Sequence, residues 1–124
     1  MDKTYNLTKS YPVNVLESIF GKYCWTKVEE AREEVIAKVE KIFEGFLQEE
    51  NAREDKDDEE KAYFEPALLQ RFYDLFFKEF KTVEEVANEM GMPCEETHHM
   101  YAFMLRKLRY PSRSKQLRKY IPED

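Results

Sequence analysis

The sequence predicts an all-α fold: a helical N-terminal segment followed by a small domain of three to four helices. Three observations predict it. Apolar residues recur at three- and four-residue spacing over most of the chain, which is helical and not strand periodicity. Two Thr-x-x-Glu strings, at Thr26 and Thr82, have the form of a helix-opening capping box. Only 3 Gly and 5 Pro occur in 124 residues, too few turn formers for a many-stranded sandwich or barrel.

Taken in order, Val13 to Phe20 is expected to be a short apolar helix stopped by Gly21. Thr26 and Glu29 then satisfy free backbone N–H groups at the start of a second helix. Val28, Val35, Val39, Ile42, Phe43, Phe46 and Leu47 share one face, giving a continuous amphipathic helix of about 24 residues. Eight of the twelve residues from Glu49 to Glu60 are acidic, so this run is expected to repel itself and act as a solvated linker. Beyond it, Pro66 opens a helix whose wide apolar face holds Leu68, Leu69, Phe72, Tyr73, Phe76, Phe77 and Phe80. Thr82 caps a short helix through Met90 with Val83, Val86 and Met90 inward, and Gly91 makes the turn. Pro93 starts a longer helix to about Arg109. Pro111 stops that helix, and Ser112 is expected to cap a last short one through about Tyr120. The boundaries that follow are an amphipathic helical segment at 1–48, an acidic linker at 49–64 and a domain at 65–124.

Charge is unevenly spread. Residues 1–65 carry 10 basic and 17 acidic side chains, and residues 66–124 carry 10 basic and 9 acidic. No acidic residue occurs from Thr97 to Pro122, while Arg106, Lys107, Arg109, Arg113, Lys115, Arg118 and Lys119 fall there. Such a footprint attracts phosphate backbones, or balances an acidic partner segment. A tethered acidic run beside it can also act as an intramolecular decoy for nucleic acid, although a plain linker is the simpler reading.

A short helix, a turn at Gly91 and a longer helix form a helix-turn-helix pattern. The string Leu105-Arg106-Lys107-Leu108-Arg109-Tyr110-Pro111-Ser112-Arg113-Ser114 closely resembles the end of region 4 of bacterial primary sigma factors, which typically closes with LRKLRHPSRS. Reading back without a gap, Thr82-Val83-Glu84-Glu85-Val86 resembles the family's TLEEV opening, Gly91 falls at the turn, and Glu95 falls on an acidic position of the recognition helix. The resemblance covers roughly residues 65–121. It implies a cytoplasmic transcription regulator, not an enzyme, that binds double-stranded promoter DNA, the β-subunit flap of RNA polymerase, or both. The alternative is a protein-interaction module with the region 4 shape that occupies polymerase or another partner without reading DNA.

On that resemblance, Glu95, His98 and His99 are the candidates for base edges, and Thr82, Arg106, Arg109, Arg113, Lys115 and Arg118 those for phosphate. The family's recognition helix begins Thr-Arg-Glu-Arg and continues Ile-Arg-Gln. Here the positions read Pro93-Cys94-Glu95-Glu96 and Thr97-His98-His99. The guanidinium forks that read guanine are gone; a carboxylate still accepts from cytosine, and an imidazole still donates to a base or phosphate. The family usually carries charged residues where Tyr101 and Phe103 stand; cover by the N-terminal helix is the expected use of that added apolar surface.

Other chemistry has little material. Cys94 and His98 share a helix face with His99 adjacent, half of a zinc site, and the only other thiol is the distant Cys24, so no metal or cofactor is expected. The carboxylates of Glu29, Glu30, Glu33 and Glu34 lie on an exposed face and not in a cleft. No apolar stretch approaches the roughly 20 residues of a membrane span. The leading MDKTYNLTKSYPVNV lacks a signal peptide's apolar core.

Overall fold

A computed structural model of the chain describes residues 11–21, 25–56 and 63–121. All regular structure among them is helical. Helix α1 spans Val13–Phe20 and ends at Gly21, whose φ of 107° is open to glycine and disfavoured for other residues. Helix α2 is a single turn, Thr26–Glu30, and α3 runs from Arg32 to Ala52.

The expected continuous helix is therefore broken, at Ala31 (φ −124°, ψ 39°). A continuous helix would stack Glu29 on Glu33 and Glu30 on Glu34 at like-charge i,i+4 spacing. The break instead gives Glu33 and Glu34 a helix N-terminus of their own, where negative charge is favoured. The capping box at Thr26 does not form. Trp25 holds the cap position, its carbonyl accepting from the Val28 and Glu29 N–H groups.

The expected linker is also helical at its start, because α3 carries on through Glu49–Ala52. Glu50 is buried and pairs at 2.7 Å with Arg53, which also bonds Asp55 at 2.8 Å. One arginine between two carboxylates offsets part of the repulsion that a count of acids suggests. The rest of the run, 57–62, lies outside the described residues.

Helix α4, Pro66–Tyr73, starts on its proline and runs directly into a π-helical turn, Asp74–Lys78. That wider turn shifts the register of the apolar face. Leu75 and Phe77 are buried, Phe76 is half-buried, and Phe80 is 50% exposed with φ at 61°. Phe80, expected on the inward face, is thus turned out.

Helix α5, Val83–Met90, carries the expected capping box. The Glu85 N–H donates to Thr82 Oγ1 at 3.1 Å, and the Thr82 N–H donates to Glu85 Oε1 at 2.9 Å. Val86 and Ala87 are its buried residues. Gly91 closes the helix in the left-handed region (φ 66°, ψ 34°), as helix C-termini favour. Thr82→Ala should lower unfolding free energy by about 1 kcal/mol. Urea denaturation checks this, with Thr82→Ser expected to retain most of the stability.

Helix α6, Cys94–Leu108, buries Thr97, Met100, Phe103, Met104 and Leu108. The last segment is not one helix capped by Ser112. Pro111 takes the first position of a four-residue helix α7, Pro111–Ser114, behind Tyr110, and a 3-10 turn follows at Arg118–Tyr120. Its anchors are Leu117 and Tyr120, both buried.

One apolar core joins the N-terminal segment to the C-terminal half, from Val13 and Trp25 through Phe43 and Phe46 to Phe72, Met104 and Leu117. Phe43 stacks on Tyr73 with centroids 4.1 Å apart, and Phe46 meets Phe103 at 6.1 Å. Of the added apolar surface of α6, Phe103 meets the N-terminal helix as expected, whereas Tyr101 is only half-buried and is covered by α4 and the π-helical turn instead. Phe103 packs on Phe46 and Phe64, and Tyr101 packs among Phe72, Phe76 and Phe77. No helix among the described residues is long and apolar enough to cross a membrane.

Candidate nucleic-acid interface

Helix α6 has two opposite stripes. Thr97, Met100, Met104 and Leu108 point inward, while Glu95, His98, His99, Ala102 and Arg106 are all exposed. The outward residues follow i, i+3, i+4, i+7 and i+11, so they form one continuous line along the helix. Thr97 anchors the first turn, its hydroxyl donating to the Pro93 carbonyl at 2.9 Å. The packing of α5 on α6 and the Gly91 turn fix the orientation of this face.

The basic candidates divide. Arg106 lies on the outward stripe, and Lys115 and Arg118 are exposed beyond it. Arg109 is exposed, but its Nη2 donates to the Ser18 carbonyl at 2.6 Å, tying α6 to α1. Arg113 is turned inward and only 8% exposed. Its guanidinium pairs with Glu49 at 2.5 Å, donates to the Lys107 carbonyl at 3.1 Å, and lies over the rings of Phe46 and Tyr110. Lys119 pairs with Glu34 at 3.2 Å. Glu49 and Glu34 thus set two carboxylates of the acidic half against the basic stretch. Thr82 is exposed, with its hydroxyl engaged in the α5 cap.

The field along the stripe is graded. Glu84, Glu85 and Glu89 on α5 and Glu95 and Glu96 in the first turn of α6 are all exposed, and Glu84 faces His98. Arg106, Arg109, Lys115 and Arg118 mark the other end. Lys81 reduces the acidic excess by pairing with Glu89 at 2.9 Å, which raises its own pKa above the usual lysine value.

Two features escape a reading of the sequence alone. One is a groove of about 520 Å³ between α1, the π-helical turn and α6, whose lining includes Phe76, Phe80, Tyr101, Leu105 and Arg109. Glu17 also lines it, and both its carboxylate oxygens are buried without a hydrogen-bond partner. The other is the approach of Glu84 to Cys94 and His98. Each offers a donor atom, and these atoms lie within 4.8 Å of one another. The signal for Glu84 was its place one residue inside a capped helix that must pack on the helix carrying Cys94 and His98.

No protein-family model, curated protein or solved structure matches this chain.

Proposed function

We propose that the chain is a regulator of bacterial transcription whose α5–α6 pair serves as a sigma-region-4-like helix-turn-helix, binding promoter DNA, RNA polymerase or both. One observation carries this reading: the unbroken exposed stripe Glu95–His98–His99–Ala102–Arg106 on a helix that buries Thr97, Met100, Met104 and Leu108 on its opposite side. At 15 residues α6 is about 22 Å long, enough to lie along a major groove. In this reading Glu95 accepts from a cytosine amino group, and His98 and His99 donate to a base or phosphate. Among the described residues of this stretch, Arg106, Lys115 and Arg118 are exposed cations that would meet the phosphate backbone, with Arg109 beside them. Arg113 is spent inside the fold and acts as a positioning residue under the C-terminal end of α6.

Selection from a pool of random duplex DNA at low and moderate salt tests the reading. An enriched motif is expected, with Arg106→Ala weakening all sequences alike and reducing the salt slope by about one. His99→Ala should instead change the preferred sequence. Retention without enrichment, unaffected by Arg106→Ala, would overturn DNA reading.

Two observations favour the second reading, a region 4-shaped module that binds polymerase without reading DNA. Glu95 and Glu96 in the first turn of α6, with Glu84 of α5 facing His98, put exposed carboxylates where phosphate would approach. The groove beside Phe80 offers apolar surface to a protein. Under this reading a purified polymerase β-flap fragment is held by the Arg106→Ala protein and lost on Phe80→Ala.

A further inference from the structure

We propose that Glu84, Cys94 and His98 form a binding site for a single Zn²⁺ ion, with water in the fourth position. The three residues come from two helices. Glu84 is the second residue of α5, Cys94 is the first of α6, and His98 lies one turn further along α6. The Gly91 turn and the Thr82 capping box fix the two helix starts, so the main chain already presents the three donors together. Their donor atoms lie within 4.8 Å of one another, and His98 Nε2 is 4.0 Å from Glu84 Oε2.

Zinc bonds of about 2.0–2.3 Å at tetrahedral angles set donor atoms about 3.3–3.6 Å apart. Closing the remaining ångström needs only side-chain rotation. All three residues are exposed, so nothing packed has to move. The donor set also selects the metal. Thiolate and imidazole with one carboxylate suit Zn²⁺, whereas Mg²⁺ and Ca²⁺ prefer oxygen donors throughout. Three protein ligands with an open fourth position is an arrangement that zinc accepts. Binding is an acid–base exchange without redox chemistry: the Cys94 thiol gives up its proton to solvent, neutral His98 supplies a lone pair, and the Glu84 carboxylate completes the charge balance. The ion would clamp α5 to α6 across the turn and withdraw His98 from the exposed stripe.

Cobalt(II) is the spectroscopic probe for such a site, and it reports without DNA or polymerase present. Titrating the reduced full-length protein with Co²⁺ should produce a thiolate-to-metal charge-transfer band and tetrahedral visible bands that saturate at one equivalent. Zn²⁺ should then erase them. Cys94→Ser should abolish the charge-transfer band, while Glu84→Gln and His98→Ala should weaken affinity by at least about tenfold, the loss already typical of outer-shell partners. Cys24→Ser and His99→Ala should leave the titration unchanged. Since the three ligands are exposed, circular dichroism should show the same helix content in every ligand variant. The proposal is overturned by the absence of a charge-transfer band, by a band that survives Cys94→Ser, or by one that depends on Cys24. Failure here leaves DNA selection to be judged separately, because the Zn²⁺ site makes no use of Arg106 or the groove.

Discussion

Phe46→Ala should destabilise the protein by about 3–5 kcal/mol, the range for emptying a fully buried aromatic site. Phe46 has no exposed surface, and it sits where the N-terminal segment meets the C-terminal half. Its ring is 5.8 Å from that of Phe43 and 6.1 Å from that of Phe103, with the Arg113 guanidinium 5.7 Å from its centroid. Removing it opens a cavity between α3 and α6 and takes away the apolar support of a nearly buried cation. A small domain has roughly 5–15 kcal/mol in total, so this one change consumes about a fifth of it at the least. Urea unfolding followed by the fluorescence of Trp25, the only tryptophan and itself buried, measures the loss. Phe46→Leu keeps most of the volume and should cost under about half as much. A loss below about 1 kcal/mol for Phe46→Ala would mean that α3 does not close the core over α6.

What was legible follows from local chemistry. The apolar period, the Thr82–Glu85 cap, the Gly91 turn and the Pro66 start each depend on residues within one helical turn, and they stand as expected. The cover of Phe103 by α3 was legible for a related reason, since an aromatic on a charged helix needs cover, whereas Tyr101 is half-buried against α4 and the π-helical turn and not against the N-terminal helix. Misreadings arose where a distant residue changed the local balance. A count of acids treated Glu49 and Glu50 as repelling neighbours, whereas Arg53 and Arg113 compensate them, the latter more than 60 residues away in sequence. Basic residues counted as one free strip are partly consumed by Ser18, Glu49 and Glu34. The π-helical turn at Asp74–Lys78 adds a residue to the 3.6-residue period, so Phe80, which that period places toward the core, faces out. Of the candidate site, Glu95, His98, His99 and Arg106 follow from the resemblance, and their alignment as one exposed line on α6 comes from the structure. Glu84 was not, because its nearness to Cys94 and His98 depends on how α5 and α6 pack.

Above about pH 10 the folded state should lose stability steeply, because it holds three phenols in their neutral form. The Tyr11 hydroxyl donates to Glu40 Oε2 at 3.0 Å, so the 2.8 Å contact between the Tyr73 and Tyr11 hydroxyls takes its proton from Tyr73. Burial is the chief reason that Tyr11 and Tyr73 sit well above the usual tyrosine range, and the nearby carboxylates of Glu40 and Asp74 push the same way. Tyr120 is pushed up to about 12, first by burial and then by donating to Glu34, whose own pKa that bond lowers. Each folded pKa exceeds the unfolded value of about 10, so the stabilisation is complete below that pH and is lost as pH rises toward the folded values. Tyr73, only 1% exposed, alone makes the slope about 1.4 kcal/mol per pH unit, and Tyr11 and Tyr120 steepen it. Tyrosinate absorbance should therefore rise in two stages, the second coinciding with loss of helical circular dichroism. Tyr73→Phe should lower stability at neutral pH by about 1 kcal/mol, the worth of one hydrogen bond, yet flatten the alkaline slope. A single smooth phenol titration near pH 10, with the helices intact throughout, would show that these hydroxyls are open to water and that the Tyr73–Tyr11–Glu40 chain does not hold the turn before α1 to α3 and α4.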